Sequence, residues 1–436
     1  MSICRVRRAQ WFVMSLVAIA MLSGCASFSR GVTEAVLDSW NRKEDTRACY
    51  IRGRPIEGLQ AALDREELAA REGAHTRRVL KVLMVHGIGS HQPGYSTRMA
   101  ENLARALTLG WVQEKYKEFH LAFPGSSNRE LGVIRFSRYL NADDTREMIF
   151  AELTWDPIVE QEKQSIAFDN SGEYTFRRTP LNNALKQFVN DTIPDVLMFN
   201  GSSRPLIQKA VGQSLCWLMV PSWESLPNGG APICDSSDPR YRPQIDDEYV
   251  FITHSLGSRV TMDALQWIAE AANAAAKNDP VLQATVRHLQ DKRFTVFMLS
   301  NQLPLLQLGE PPPRVHGQID DLCGPSAARS RERLFGETHL IAFSDPNDLF
   351  SYAIPPRFLD EQVDSRLCPT LTNVILNIGT VSNIFGAEFA NPLSAHTGYD
   401  NDGRVIGLIT KGIGSADVDP EVSLRCFWLE ATPEQR

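Results

Sequence analysis

Several absences in this 436-residue chain narrow its function before any motif is read. It has no long basic run and no stripe of interleaved basic and aromatic residues, which argues against nucleic-acid binding. It has no Cys-x-x-Cys pair and no close His/Cys cluster, so nothing in the sequence predicts zinc or another metal. It has no internal repeat, which excludes a solenoid or propeller. Charged residues make up 22%, too many for a multi-span membrane protein, and 43% hydrophobic residues are too many for a disordered chain. The formal charge of −7 favours solubility and says little else.

The first 25 residues read as an address. Arg5, Arg7 and Arg8 form a positive start, and Trp11 to Leu22 is an apolar stretch too short to span a bilayer. It ends in Leu22-Ser23-Gly24-Cys25, which resembles the bacterial lipobox. That resemblance implies cleavage after residue 24, lipidation of Cys25 and a membrane anchor. By the same sorting logic, Ala26 implies the outer membrane, facing the periplasm. Export to an oxidising compartment predicts disulfides among Cys49, Cys216, Cys234, Cys323, Cys368 and Cys426. Fifteen pairings exist for six cysteines. Cys216 and Cys234 flank a Pro/Gly-rich loop and form a reasonable local pair.

Residues 25–75 read as a tether and helical lead-in, and 76–436 as one α/β domain. Short apolar runs end at Val85, Trp155 and Ile252, and others cover Phe294–Leu299, Leu340–Phe343 and Val374–Ile378. Helical segments lie between them: Met99, Leu103 and Leu107 predict a helix over 96–111, and Val260, Ala264, Ile268 and Ala272 predict another. This alternation predicts a mostly parallel sheet with helices on both faces. Roughly 90 residues separate the strand at Trp155 from that at Tyr249, far more than a crossover helix needs. The segment 156–245 is therefore read as a cap. Its Trp217, Trp223 and Leu/Met/Phe-rich stretch either line an apolar channel or form its core.

The chemistry centres on Thr253-His254-Ser255-Leu256-Gly257, between an apolar strand and an amphipathic helix. A strand–Ser–helix turn lifts a serine hydroxyl above the sheet edge. Thr253 departs from the usual small residue of Gly-x-Ser-x-Gly. His86-Gly87-Ile88-Gly89 ends an early strand, Asp345 and Asp348 follow the strand at Phe343, and His396 follows the last strand. In this order the sequence resembles the α/β-hydrolase superfamily, lipase/esterase branch, over about residues 81–410. The resemblance implies an α/β-hydrolase fold with a cap, Ser255 as nucleophile, His396 as base, Asp348 or Asp345 as acid, and the N–H groups of Ile88 and Leu256 as oxyanion hole. The family's acid usually lies a few residues past its strand, which favours Asp348 and leaves Asp345 open. It further implies a carboxylic ester substrate, small or lipidic, and no cofactor. A scaffold or lipid-binding module with an inactive site, and an acyltransferase or thioesterase, are the alternatives.

Other polar residues have plainer readings. His254 is expected to point sideways or pack, and His86 to structure the oxyanion loop. His91 either lines the pocket or is solvated, His316 lies in a Pro-rich loop, and His339 precedes the acid. Asp400-Asn401-Asp402-Gly403 lacks the Glu that would complete a calcium loop and reads as a polar turn.

Overall fold

The continuous apolar strands of the sequence settle into the middle of a ten-stranded sheet in the computed structural model. It describes residues 47–71, 79–123, 126–167, 179–235, 247–277, 280–324, 326–379, 381–384, 387–414 and 417–429. The signal segment and Cys25 lie outside the described residues. Along the chain the sheet strands are β1 (Cys49–Gly53), β2 (Leu80–Val85), β3 (Gly110–Phe123), β4 (Ser126–Leu140), β5 (Glu147–Thr154), β6 (Glu248–His254), β7 (Arg293–Leu299), β8 (Glu337–Ser344), β9 (Pro369–Leu376) and β10 (Cys426–Trp428). Their spatial order is β10-β1-β9-β8-β7-β6-β2-β5-β4-β3.

The run β9-β8-β7-β6-β2-β5 is parallel throughout, and every residue of β2 and β5 is buried. That is why these strands read as unbroken apolar runs rather than alternating ones. Lys81 is the exception within β2: its ammonium is buried 2.5 Å from Asp247 and donates to the carbonyl of Val220 at 2.6 Å. Antiparallel pairs occur towards both margins, although the outermost pair β10–β1 is itself parallel. β3 and β4 form a long hairpin on β5, and β1 runs antiparallel to β9.

Helices cover both faces. Side chains of β2 alternate between two cores: Leu83 and Val85 pack with one, Val82 and Met84 with the other. The first core includes α5 (Arg204–Leu218) and α6 (Leu256–Ala275); the second includes α1 (Leu59–Arg71), α2 (Thr97–Ala106) and a helix at Gly403–Thr410. Between these in the chain, α3 (Pro157–Ala167) and α4 (Pro180–Phe199) precede α5. The molecule is thus an α/β protein with a large, mostly parallel sheet. Among the described residues no helix is long and apolar enough to cross a membrane.

Three details depart from the sequence reading. Residues 49–71, read as lead-in, supply the second strand from one edge of the sheet and a helix whose Leu59 and Leu63 are buried. Helix α2 stops at Ala106 rather than 111, because Thr108 takes a positive φ of 59° and Trp111 already belongs to β3. Residues 204–226 of the 156–245 segment are a layer of the main body: Trp217 and Trp223 are buried in the same core as Val85. The two tryptophans are therefore core residues and do not line a channel. All six cysteines are paired, as Cys49–Cys426, Cys216–Cys234 and Cys323–Cys368. The first joins the edge strand β10 to its neighbour β1 at one register position.

Candidate active site

Because β2, β5, β6, β7, β8 and β9 are parallel, their carboxyl ends open on one edge, where open α/β sheets place ligands. The segments that leave them begin at His86, Trp155, Ser255, Ser300, Asp345 and Asn377. Every residue singled out by motif, apart from Cys25, lies on these segments or on the short helix Pro392–Thr397 that follows them.

Ser255 occupies a tight junction between β6 and α6, with φ 55° and ψ −125°. Such a conformation costs a non-glycine residue about 1–3 kcal/mol and is held only where its surroundings over-determine it. Here the Ser255 N–H donates to Leu299 O at 2.9 Å and its carbonyl accepts from Ser258 N–H at 3.1 Å. Two glycines permit the packing. A Cβ on Gly257 would fall 2.4 Å from Val85 O, and one on Gly87 would fall 2.5 Å from Ser255 Cβ. The elbow and the 86–91 loop are therefore pressed together. Thr253 is accommodated because it sits wholly within the sheet, its hydroxyl donating to Phe297 O at 3.3 Å. Ser255 Oγ is buried and makes no hydrogen bond among the described residues. Leu256 is the first residue of α6, so its N–H has no intrahelical acceptor. Ile88 lies on the facing loop, half-buried against the core.

The structure separates the two aspartates. Asp348 places both carboxylate oxygens against His396 Nδ1, at 3.0 and 2.9 Å. Its Oδ1 also accepts from Phe350 N–H at 2.9 Å, and its Oδ2 from Ser300 Oγ at 2.6 Å. Burial alone would raise the Asp348 carboxyl, but the bonds from His396, Ser300 and Phe350 outweigh it and hold the group below its ordinary range. Asp345 does different work. Oδ2 accepts from Ile378 N–H at 2.6 Å and Gly379 N–H at 3.0 Å, and Oδ1 from Asn347 N–H at 2.7 Å. It ties its turn to the end of β9 and has no contact with His396.

His396 is set from three sides. Its helix is capped by Asn391, whose side chain accepts from Leu393 N–H at 3.0 Å. With Asp348 at Nδ1, that nitrogen carries the proton and Nε2 is the basic one. Two neighbours were not given a role in the site by sequence. His254 Nε2 donates to the backbone carbonyl of His396 at 2.8 Å, its ring edge-on at 5.0 Å. Burial and the adjacent His396 push its pKa down to about 3, so it is a neutral donor. Ser300, at the end of β7 with φ 50°, lies 2.8 Å from His396 Nδ1 as well as on Asp348. A serine at a strand end carries no distinctive signal; only the positive φ and this double contact reveal it.

On the 86–91 loop, His86 is buried between His91 and Trp155, with ring centroids 4.1 and 4.8 Å away. Its Nδ1 donates to Gly87 O at 2.9 Å and its Nε2 accepts from Trp155 N–H at 3.1 Å. Burial holds it neutral, well below the usual histidine range. His86, His91 and Asp156 could be grouped as metal donors. Their candidate ligand atoms lie within 4.8 Å of one another, but the His86 and His91 rings are stacked and both nitrogens of His86 are already bonded, to Gly87 O and Trp155 N–H. The trio fits a loop scaffold better than a cation site. No family model, curated protein or solved structure matches this chain.

Proposed function

We propose that this chain is a serine hydrolase of the α/β-hydrolase type that cleaves carboxylic esters. One observation carries the reading: a strained serine at a strand–helix junction shares its sheet edge with a histidine whose Nδ1 is held by a buried carboxylate. A structural N-cap would need neither the positive φ nor the dyad. In the proposed reaction His396 Nε2 takes the proton of Ser255 Oγ as the oxygen attacks the ester carbonyl carbon. Negative charge moves to the carbonyl oxygen, where the N–H groups of Leu256 and Ile88 receive it. One such donor is typically worth about 3–4 kcal/mol of barrier. Collapse breaks the ester C–O bond, His396 returns the proton to the departing alcohol, and water repeats the sequence on the acyl-enzyme.

Apolar surface beside the acid supports an apolar ester. Phe350 is partly exposed and sits edge-on to the His396 ring at 5.9 Å, next to the exposed Leu349. The lipobox-like Leu22–Cys25 supports a membrane-anchored envelope enzyme, for which acylated lipids are close at hand. The test is hydrolysis of a p-nitrophenyl ester series. Ser255→Ala and His396→Ala each abolish turnover while folding is retained, and the double variant is little worse than either, since such groups act as a unit. Retention of most activity by Ser255→Ala overturns the reading.

A further inference from the structure

The 86–91 loop is fastened from outside by three carboxylates, all contributed by the segment between β5 and β6. Gly89 N–H donates to Asp195 Oδ2 at 2.8 Å, Ser90 Oγ donates to Asp191 Oδ1 at 2.7 Å, and His91 N–H donates to Asp156 Oδ2. Three consecutive loop residues thus meet three acids, one just before α3 and two on α4. Asp195 is fully buried and Asp156 nearly so. A buried lysine from α3, Lys163, lies 2.6 Å from the other oxygen of Asp195. Burying this many ionisable groups costs free energy, and packing alone does not ask for it. Ordinary loop closure would be served by backbone or hydroxyl partners.

From this geometry we infer that Asp195 and Asp156 are positioning residues for the proposed ester hydrolysis, holding the Ile88 N–H in the orientation that receives the oxyanion. The inference rests on the function proposed above. Ile88 sits immediately before the three fastened residues, and on its other side Gly87 is pressed against Ser255. The loop is therefore gripped at both ends with Ile88 between. Asp191 is half-buried and contributes less, because its bond is to the exposed Ser90 and competes with water. The carboxylates touch neither Ser255 nor His396; they act through the backbone of residues 89 and 91. On this account α3 and the carboxyl half of α4 are a fixed wall of the site and not a removable lid.

The experiment compares Asp195→Ala, Asp156→Ala and Asp195→Asn combined with Lys163→Met against the full chain. Peptide-level hydrogen exchange across residues 84–95 reads the latch without reference to activity, and kinetics on a p-nitrophenyl ester read its consequence. Asp195→Ala is expected to speed exchange in that peptide and to lower kcat by about 10- to 100-fold, as a misplacement near 1 Å does, with KM within threefold. Inhibition by a trifluoromethyl ketone, whose adduct carries the oxyanion, should weaken in parallel with kcat/KM. Asp195→Asn keeps an acceptor for Gly89 but turns its NH₂ toward Lys163, so it is combined with Lys163→Met; that pair should recover most of the loss and guards against misfolding from an unpaired ammonium. Unchanged exchange in both alanine variants overturns the latch. Faster exchange with unaltered kcat and ketone affinity overturns the positioning role. If the wild-type chain neither turns over esters nor binds the ketone, the proposed function fails while the exchange data still judge the latch.

Discussion

Asp345 and Asp348, three residues apart on one turn, should separate stability from catalysis when each is changed to asparagine. Asp345 accepts from three backbone N–H groups and from the Asn347 amide, which donates to Oδ1 at 3.1 Å, and it is fully buried. An amide has one accepting end, so Asp345→Asn turns its NH₂ toward donors at two of four contacts. At about 1.5–3 kcal/mol for each hydrogen bond to a charged group, the loss is about 3–5 kcal/mol after some relaxation. For a chain of this size that is a fall in Tm of roughly 3–6 °C. Turnover per folded molecule should change little. Asp348→Asn is the converse. Its partners are a hydroxyl that can rotate, one backbone N–H, and His396 Nδ1. The amide fits, but an NH₂ near Nδ1 favours the tautomer with its proton on Nε2, which cannot accept from Ser255. A loss on the order of 10⁴ in kcat is expected, about 5 kcal/mol of barrier, with little change in Tm. The assays are thermal unfolding and ester hydrolysis normalised to folded protein. A larger kcat loss for Asp345→Asn than for Asp348→Asn, at equal folded fractions, would refute the division of roles.

Ser255→Gly should raise stability by about 1–2 kcal/mol while abolishing turnover, because glycine relieves the positive φ; a destabilised variant in thermal unfolding contradicts the strain argument. Gly257→Ala should prevent soluble folding or cost several degrees in Tm, since its Cβ would meet backbone oxygens of Val85 and His86 at 2.4 and 2.7 Å; a neutral effect argues against this close approach. Burial, opposed by the His91 N–H and by Lys163, pushes Asp156 up to about 7 from 3.8. The native state then binds the extra proton over that interval, so stability contributed by this group falls as pH rises from about 4 to 7 and is level above. Asp156→Asn should therefore match the wild type near pH 4 and exceed it by on the order of 2–4 kcal/mol at pH 8. The difference between the two unfolding curves isolates this effect from His91 and His254, which burial shifts down and which act in the opposite sense. A gap that shrinks with rising pH refutes it.

Much of this site is legible in the sequence because its chemistry requires local features. An apolar strand, a serine and an amphipathic helix in succession mark Ser255, and the spacing beyond Phe343 favours Asp348, the one that lies on His396. The hidden parts depend on contacts between distant segments. Ser300 and His254 acquire their partners, Asp348 and the His396 carbonyl, only when separate strands end side by side. Asp195 meets Gly89 across 106 positions, and nothing near either residue announces the bond. Trp217 and Trp223 show the reverse problem. Their composition suits a channel or a core equally, and which surface they cover is decided by how α5 docks on the sheet. The β3–β4 hairpin carries little strand signal in the sequence, because Met99, Leu103 and Leu107 carry a helical spacing almost into Trp111 and period-two alternation along it is interrupted by charge and by register shifts after Trp111 and Leu121.

The central claim, that Ser255 is a nucleophile activated by its setting, is tested most directly by covalent capture. The full chain is incubated with a fluorophosphonate, and intact mass and peptide mapping locate the adduct. The account predicts one phosphonyl group per chain, on the peptide carrying Ser255, absent from Ser255→Ala and strongly slowed in His396→Ala. A wild-type chain that stays unmodified, or an adduct that persists in Ser255→Ala, would contradict it.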